Sequence, residues 1–264
     1  MNIVLRELRA YFKSLLIWST IIILFIVVGV SKFSAFANNP EMLAILDAYP
    51  PAVLDALNLR AFNLTTITGF FGVMHVYYTL LAGVAAAMWG SDIIAKEERD
   101  KTVDFILTLP ITRQRLITAK TVAAIINCAV LVLLIWVASR LAAAPYNPDA
   151  EFYRFLALQM QSIFILMLIF LAIGIFLGCA LRRYKRVTAI AVALLLSTFF
   201  MSSLSDMDER LDFLKYVSPF KYVDAGMLYR EGRIEGIYWV LTLLLILVSM
   251  TAAYVTYTRR DIYA

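Results

Sequence analysis

Six stretches of the chain stay apolar long enough to cross a bilayer, at about 15–36, 69–90, 121–139, 155–181, 187–204 and 237–257. A helix needs ~20 such residues to span a hydrocarbon core of ~30 Å. None of the seven prolines falls inside a stretch, so the pattern predicts six transmembrane helices without proline breaks. Ahead of the first, residues 1–14 split at helical pitch. Val4, Leu5, Leu8, Tyr11 and Phe12 lie on one face, and Asn2, Arg6, Arg9 and Lys13 on the other. This predicts an interfacial helix that lies along the membrane before the chain turns into the first span. Trp18, Trp89, Trp136 and Trp239 fall near predicted span ends and read as interfacial anchors.

The polar connections set the orientation. With the N-terminus inside, one side collects Arg6, Arg9 and Lys13, the cations between Lys96 and Lys120, the Arg182-Arg183-Tyr184-Lys185-Arg186 turn, and Arg259 and Arg260. The connections on the other side carry more acids than bases. Cations are retained on the cytoplasmic side, so both termini are predicted to be cytoplasmic. Composition agrees: 62% of residues are hydrophobic and 16% charged, against ~45–50% and ~25% in soluble domains. A water-soluble globule is excluded. Nucleic-acid binding is excluded too, because the 24 Lys and Arg form no polar tract despite a net charge of +5. The fold class is therefore an all-α membrane protein, one transmembrane domain over residues 1–264. Cys128 and Cys179 sit in apolar runs and read as small buried thiols.

Two outer connections are long. In 31–68, the segments 41–49 and 51–62 have helical spacing and are separated by Pro50-Pro51, which predicts two short surface helices. The other covers 205–236. On the cytoplasmic side, 92–120 predicts a charged extension of the second span to about Arg99. A short apolar helix bearing Val103, Phe105, Ile106, Leu107 and Leu109 follows, is stopped by Pro110, and leads to a new helix capped by Thr112. An apolar helix held between two charged rods needs a cover, either lipid headgroups or a partner protein.

Catalytic chemistry is thin. Apart from Lys32, which can snorkel outward, the spans hold no Asp, Glu, Lys or Arg, and they hold one histidine, His75. The sequence thus predicts no buried ionisable cluster, metal centre or nucleophile set. No Gly-Lys pair exists, so no nucleotide-binding loop of the P-loop kind is present. His75, beside Tyr77 and Tyr78, together with Asn127, Gln159 and Gln161, predicts hydrogen bonding between helices or a polar contact in a substrate path. Gly174 and Gly178 form a small-xxx-small pair suited to close helix packing.

The 92–120 segment is similar to the cytoplasmic signature of export-type ATP-binding-cassette permeases of the second structural type. Glu97, Thr102, Ile106, Leu107, Pro110, Ile111, Thr112, Arg113 and Lys120 occupy the places of that pattern, with Lys101 where the family has glycine. Val217-Ser218-Pro219-Phe220-Lys221-Tyr222 resembles the family's stretch before its last span. Tyr257-Thr258-Arg259-Arg260-Asp261-Ile262 resembles its ending.

The resemblance implies a permease subunit of an ATP-driven exporter in the inner (plasma) membrane of a prokaryote. The helix over 102–109 would be a coupling helix, with Glu97, Glu98, Thr102, Phe105, Ile106, Leu107, Pro110, Arg113 and Lys120 facing a separate ATPase subunit. That partner would bind ATP and Mg, and this chain would hold no cofactor and catalyse nothing itself. The other implied partners are a second copy of the chain, membrane lipid, and a hydrophobic or amphipathic cargo such as a peptide, antibiotic or drug. Candidate path residues are Met74, His75, Tyr78, Phe199, Phe200 and Met201. The alternatives are an ATPase-independent immunity or scaffold protein, or an integral-membrane enzyme.

Overall fold

The computed structural model describes residues 3–37, 62–100, 112–181, 184–207 and 209–259. Among these residues the secondary structure is helical throughout. The helices are α1 (Ile3–Phe36), α2 (Ile67–Arg99), α3 (Arg113–Ala143), α4 (Ala150–Ala180), α5 (Tyr184–Ser205), α6 (Pro219–Tyr222), α7 (Ala225–Glu231) and α8 (Gly236–Arg259). The expected six, α1 to α5 and α8, are long and apolar enough to cross a membrane. The anticipated starts and stops hold where they are described. α2 carries its charged extension to Arg99, and the Thr112 hydroxyl caps α3 by accepting from Arg115 N at 3.3 Å. Asp149 caps α4 and Asp224 caps α7 in the same way. The expected surface helices at 41–49 and 51–62 and the coupling helix at 102–109 lie outside the described residues, except for Phe62.

One boundary differs. The N-terminal segment is not a separate helix: α1 runs unbroken for 34 residues, and the chain makes no turn between Ser14 and Leu15. The reason is its buried stripe. Glu7, Tyr11, Leu15, Ser19, Ile22, Ile26, Val30 and Phe33 recur at helical spacing from one end to the other, so a kink would strip one half of its packing.

α2 and α4 form the spine. Two-thirds of each apolar window is buried (67%), against 28% for α1, 33% for α3, 17% for α5 and 22% for α8. Lipid offers apolar side chains no less favourable a surface than a neighbouring helix, so close van der Waals approach must supply the association. Small residues permit it. A Cβ on Gly174 would lie 2.8 Å from Ser91 N, and one on Gly178 3.0 Å from Ser91 O. The small-xxx-small pair thus packs within the protomer. α1 and α3 pair on one side of the spine, α8 lies against α4, and α5 lies against α2.

Trp89 is not an interfacial anchor. It is 2% exposed and donates its indole N–H to Ser14 Oγ at 2.8 Å, joining α2 to α1.

The connection between α5 and α8 does not stay on the surface. Phe220 reaches past the middle of α4, with its ring 5.7 Å from that of Phe170, and also meets Phe199 of α5 at 5.3 Å. Ser218, Phe220, Tyr222 and Val223 are all buried. α6 and α7 form a hairpin folded back into the bundle.

Candidate functional site

The ends of α2 and α3 on either side of residues 101–111 are joined by charge. Lys120, on the first turns of α3, is fully buried; its ammonium forms an ion pair with Glu97 Oε1 at 2.5 Å and donates to the Ile93 carbonyl at 2.6 Å, both on α2. Its third neighbour is Glu7 of α1, 3.9 Å away. The charge of Lys120 is thus met by two carboxylates and a hydrogen-bonded carbonyl. Glu7, 1% exposed, is itself held by Lys96 of α2 and by Arg6 at 3.1 Å. Arg6 also reaches Glu97 at 3.6 Å. Three cations and two carboxylates from three helices thus interlock at one end of the bundle. Arg113 extends the collar to α8 by donating to the Tyr257 carbonyl at 3.3 Å.

This overturns the expectation of no buried ionisable cluster. The spans themselves are free of such a cluster, but α1, α2 and α3 continue beyond their apolar stretches and pack there, so charges that read as solvated flanks become interior. Desolvating charges is costly and has to be offset by close ion pairing, which Glu97 at 2.5 Å and the Ile93 carbonyl at 2.6 Å supply to Lys120. The carboxylates are committed to ammonium and guanidinium partners. Among the described residues no three His, Cys, Asp or Glu side chains gather to hold a metal.

At the edge of the cluster, Arg99 ends α2. It pairs with Asp92, and with Asp100 at 3.1 Å. Desolvation pulls its pKa down, but the two carboxylates win and hold the guanidinium above its ordinary value. Asp92 also accepts from the Tyr11 hydroxyl at 2.8 Å.

The opposite end of the bundle combines neutral hydrogen bonds with one partly buried charge group, in which Lys221 of α6 pairs with Asp206 and lies 3.9 Å from Asp224. In the hairpin the Val223 carbonyl accepts from His75 Nε2 at 3.2 Å, with Thr79 and Ser162 hydroxyls at 3.2 and 3.3 Å from the same nitrogen. Irregular backbone at membrane depth must find its hydrogen bonds inside the protein, and this is the role the histidine fills. Ser218 Oγ donates to the Thr198 carbonyl at 2.7 Å, Tyr222 stacks on Tyr238 at 5.2 Å, and its hydroxyl donates to the Tyr216 carbonyl at 2.5 Å. Gln159 Nε2 donates to the Phe71 carbonyl at 2.9 Å, tying α4 to α2. The expected hydrogen bonding between helices is therefore present at His75 and Gln159.

The sequence-predicted site residues divide. Glu97 and Lys120 meet in the cluster, and Arg113 lies beside it. Thr102, Phe105, Ile106, Leu107 and Pro110 lie outside the described residues, as does the side chain of Glu98. Of the path candidates, His75 and Tyr78 are buried within the protomer, Met74, Phe199 and Met201 are half-buried, and Phe200 is exposed. The residue that sequence reasoning missed is Glu7. The available signal was its register: it continues the Tyr11, Leu15 stripe of α1, where an acid is out of place unless a cation meets it.

No curated protein matches the chain. The family model for ABC-2 family transporter proteins, however, matches residues 1–262, nearly the whole length. With six apolar helices and a buried collar at the residues of the 92–120 signature, the chain is a multi-pass membrane protein that belongs to the ABC-2 transporter family.

Proposed function

We propose that this chain is the permease subunit of an ATP-driven exporter and that it takes mechanical input at residues 101–111 from a separate ATPase subunit. The observation that carries the reading is the 2.5 Å pairing of Glu97 with Lys120, which closes the base of that loop. A loop on a rigid base passes a push into its helices, whereas a loop on a soft base absorbs it. Here the base also grips α1 through Glu7 and α8 through Arg113, so displacement of the loop would move four of the six long helices together. The ATPase would bind ATP and Mg, and nucleotide would bias a two-state permease through contacts that differ between the states.

In this reading two copies assemble around a two-fold axis, which puts both loops on one face for a paired motor. The sparsely buried faces of α5 and α8 are available to lipid or to the second copy. Met74, Phe199, Phe200 and Met201 remain path candidates along with His75 and Tyr78, and the cargo is hydrophobic or amphipathic. The membrane is the inner (plasma) membrane of a prokaryote, with both termini cytoplasmic.

The test is capture of the tagged chain from native membranes in mild detergent, with the eluate assayed for ATP hydrolysis and bound proteins. A stoichiometric ATPase is expected, and Phe105→Asp or Leu107→Asp should release it while the permease stays in the membrane. A homo-oligomer without an ATPase in several detergents would sink the reading in favour of a scaffold or immunity protein. Retention of both ATPase and transport by the two variants would remove the loop as the contact.

A further inference from the structure

A cleft of about 760 Å³ opens between α1 and α2 at the end of the bundle that carries the charge cluster, with Thr188 of α5 on its rim. Its size falls within the ~300–1,000 Å³ of small-molecule sites. α1 and α2 run antiparallel and impose the same polarity gradient on it. Toward the membrane interior the walls are Ile21, Ile17 and Trp18 of α1 and Met88 of α2. Toward the loop end they are Tyr11 and Lys13 of α1 and Asp92, Lys96 and Arg99 of α2. The shape is long and apolar at one end and ionic at the other.

The ionic end differs in how its charges are engaged. Its carboxylates are engaged: Asp92 by Arg99 and the Tyr11 hydroxyl, and Asp100 by Arg99. Lys96 holds Glu7 behind the wall, with its ammonium 4.6 Å from the centre of the Tyr11 ring. Lys13 is exposed and meets no acid among the described residues. A ligand entering here finds both acids already paired with Arg99 and the exposed Lys13 on the wall without an acid partner among the described residues.

We infer that the cleft binds an amphiphile with an anionic head, a carboxylate or phosphate, placing the head at Lys13 and Lys96 and the tail along Ile17, Trp18, Ile21 and Met88. A membrane lipid and a transported amphiphile share this chemistry. Lys96 belongs to both the cleft and the cluster, so a head group drawing on its ammonium competes with Glu7 and touches the base of loop 101–111. The inference rests on the permease reading only in treating the ligand as cargo. Binding itself is measured on this chain without any ATPase, so the two can fail separately.

Trp18 and Trp89 line the cleft and serve as reporters once Trp136 and Trp239 are changed to Phe. In phosphatidylcholine nanodiscs, bromoundecanoate should quench them saturably. The bromoundecyl trimethylammonium and maltoside analogues should quench weakly and without saturation, and inorganic phosphate alone should not compete. Lys13→Glu should weaken bromoundecanoate binding by roughly fivefold, the scale of an exposed ionic contact. Ala10→Phe, at an exposed position on the cleft wall, should abolish saturation by filling the head-group end. Equal quenching by all three heads, displacement by phosphate alone, or unchanged binding in Ala10→Phe would each overturn the assignment.

Discussion

The two ends of the bundle solve the same problem with a different balance of charge and neutral hydrogen bonding. At the loop end, three helices are locked by full charges, with Lys120 between Glu97 and Glu7. At the other end, the α6–α7 hairpin is held mainly by a histidine contact, a hydroxyl donor and stacked rings, with the partly exposed Lys221–Asp206 pair beside them. The difference follows from what must be satisfied. Straight helices already pair their backbone groups, so side-chain charge can register them against each other. A hairpin inside the bundle exposes carbonyls that need N–H or O–H donors. Charge pairs are costly to break singly because the survivor is left buried, while a neutral hydrogen bond contributes only ~1 kcal/mol net.

That contrast can be broken in order of expected effect. Lys120→Met takes the 2.5 Å partner from the buried Glu97, while Glu7 keeps Lys96 and Arg6, and should cost about 3–5 kcal/mol, read as a large drop in thermal stability of the detergent-solubilised chain. Adding Glu97→Leu should recover much of it, since an apolar pair of similar volume tolerates burial. A parent-like melt for Lys120→Met alone would mean that the cluster is not dry. His75→Leu removes the donor to Val223 and should cost about 1–3 kcal/mol. Hydrogen exchange should show the loss as faster exchange confined to α6 and α7, with His75→Gln milder. A global loss comparable to that of Lys120→Met would erase the distinction between the ends. At the small end, Lys215→Met removes an exposed pair with Asp212 and should leave melting and exchange unchanged. A clear effect would show that the surface around the hairpin is part of its support.

Much of this was legible from residue patterns. Period and length fixed the six spans, Thr112 announced the start of α3, and Gly174 and Gly178 announced a close contact. The candidate site was only half legible. Glu97 and Lys120 stood out by resemblance, but as surface cations and acids of a loop, because hydropathy cannot tell a solvated flank from a helix extension packed against two others. Trp89 misled for a related reason: an indole near a span end suits the interface, and only the proximity of Ser14 on α1 turned it inward. The hairpin was read as an outer connection because nothing in Ser218-Pro219-Phe220 states its depth.

The sequence by itself determined which segments are long and apolar enough to cross a membrane, and with them the six long helices and the family, because apolar length and charge placement act locally along the chain. Only the tertiary structure decided which charges met, that α1 ran straight through its expected turn, and that His75 served a backbone carbonyl 3.2 Å away. Those outcomes depend on which helix faces touch. Glu7 and Lys120, or His75 and Val223, become neighbours only when the α2–α4 spine brings their helices together.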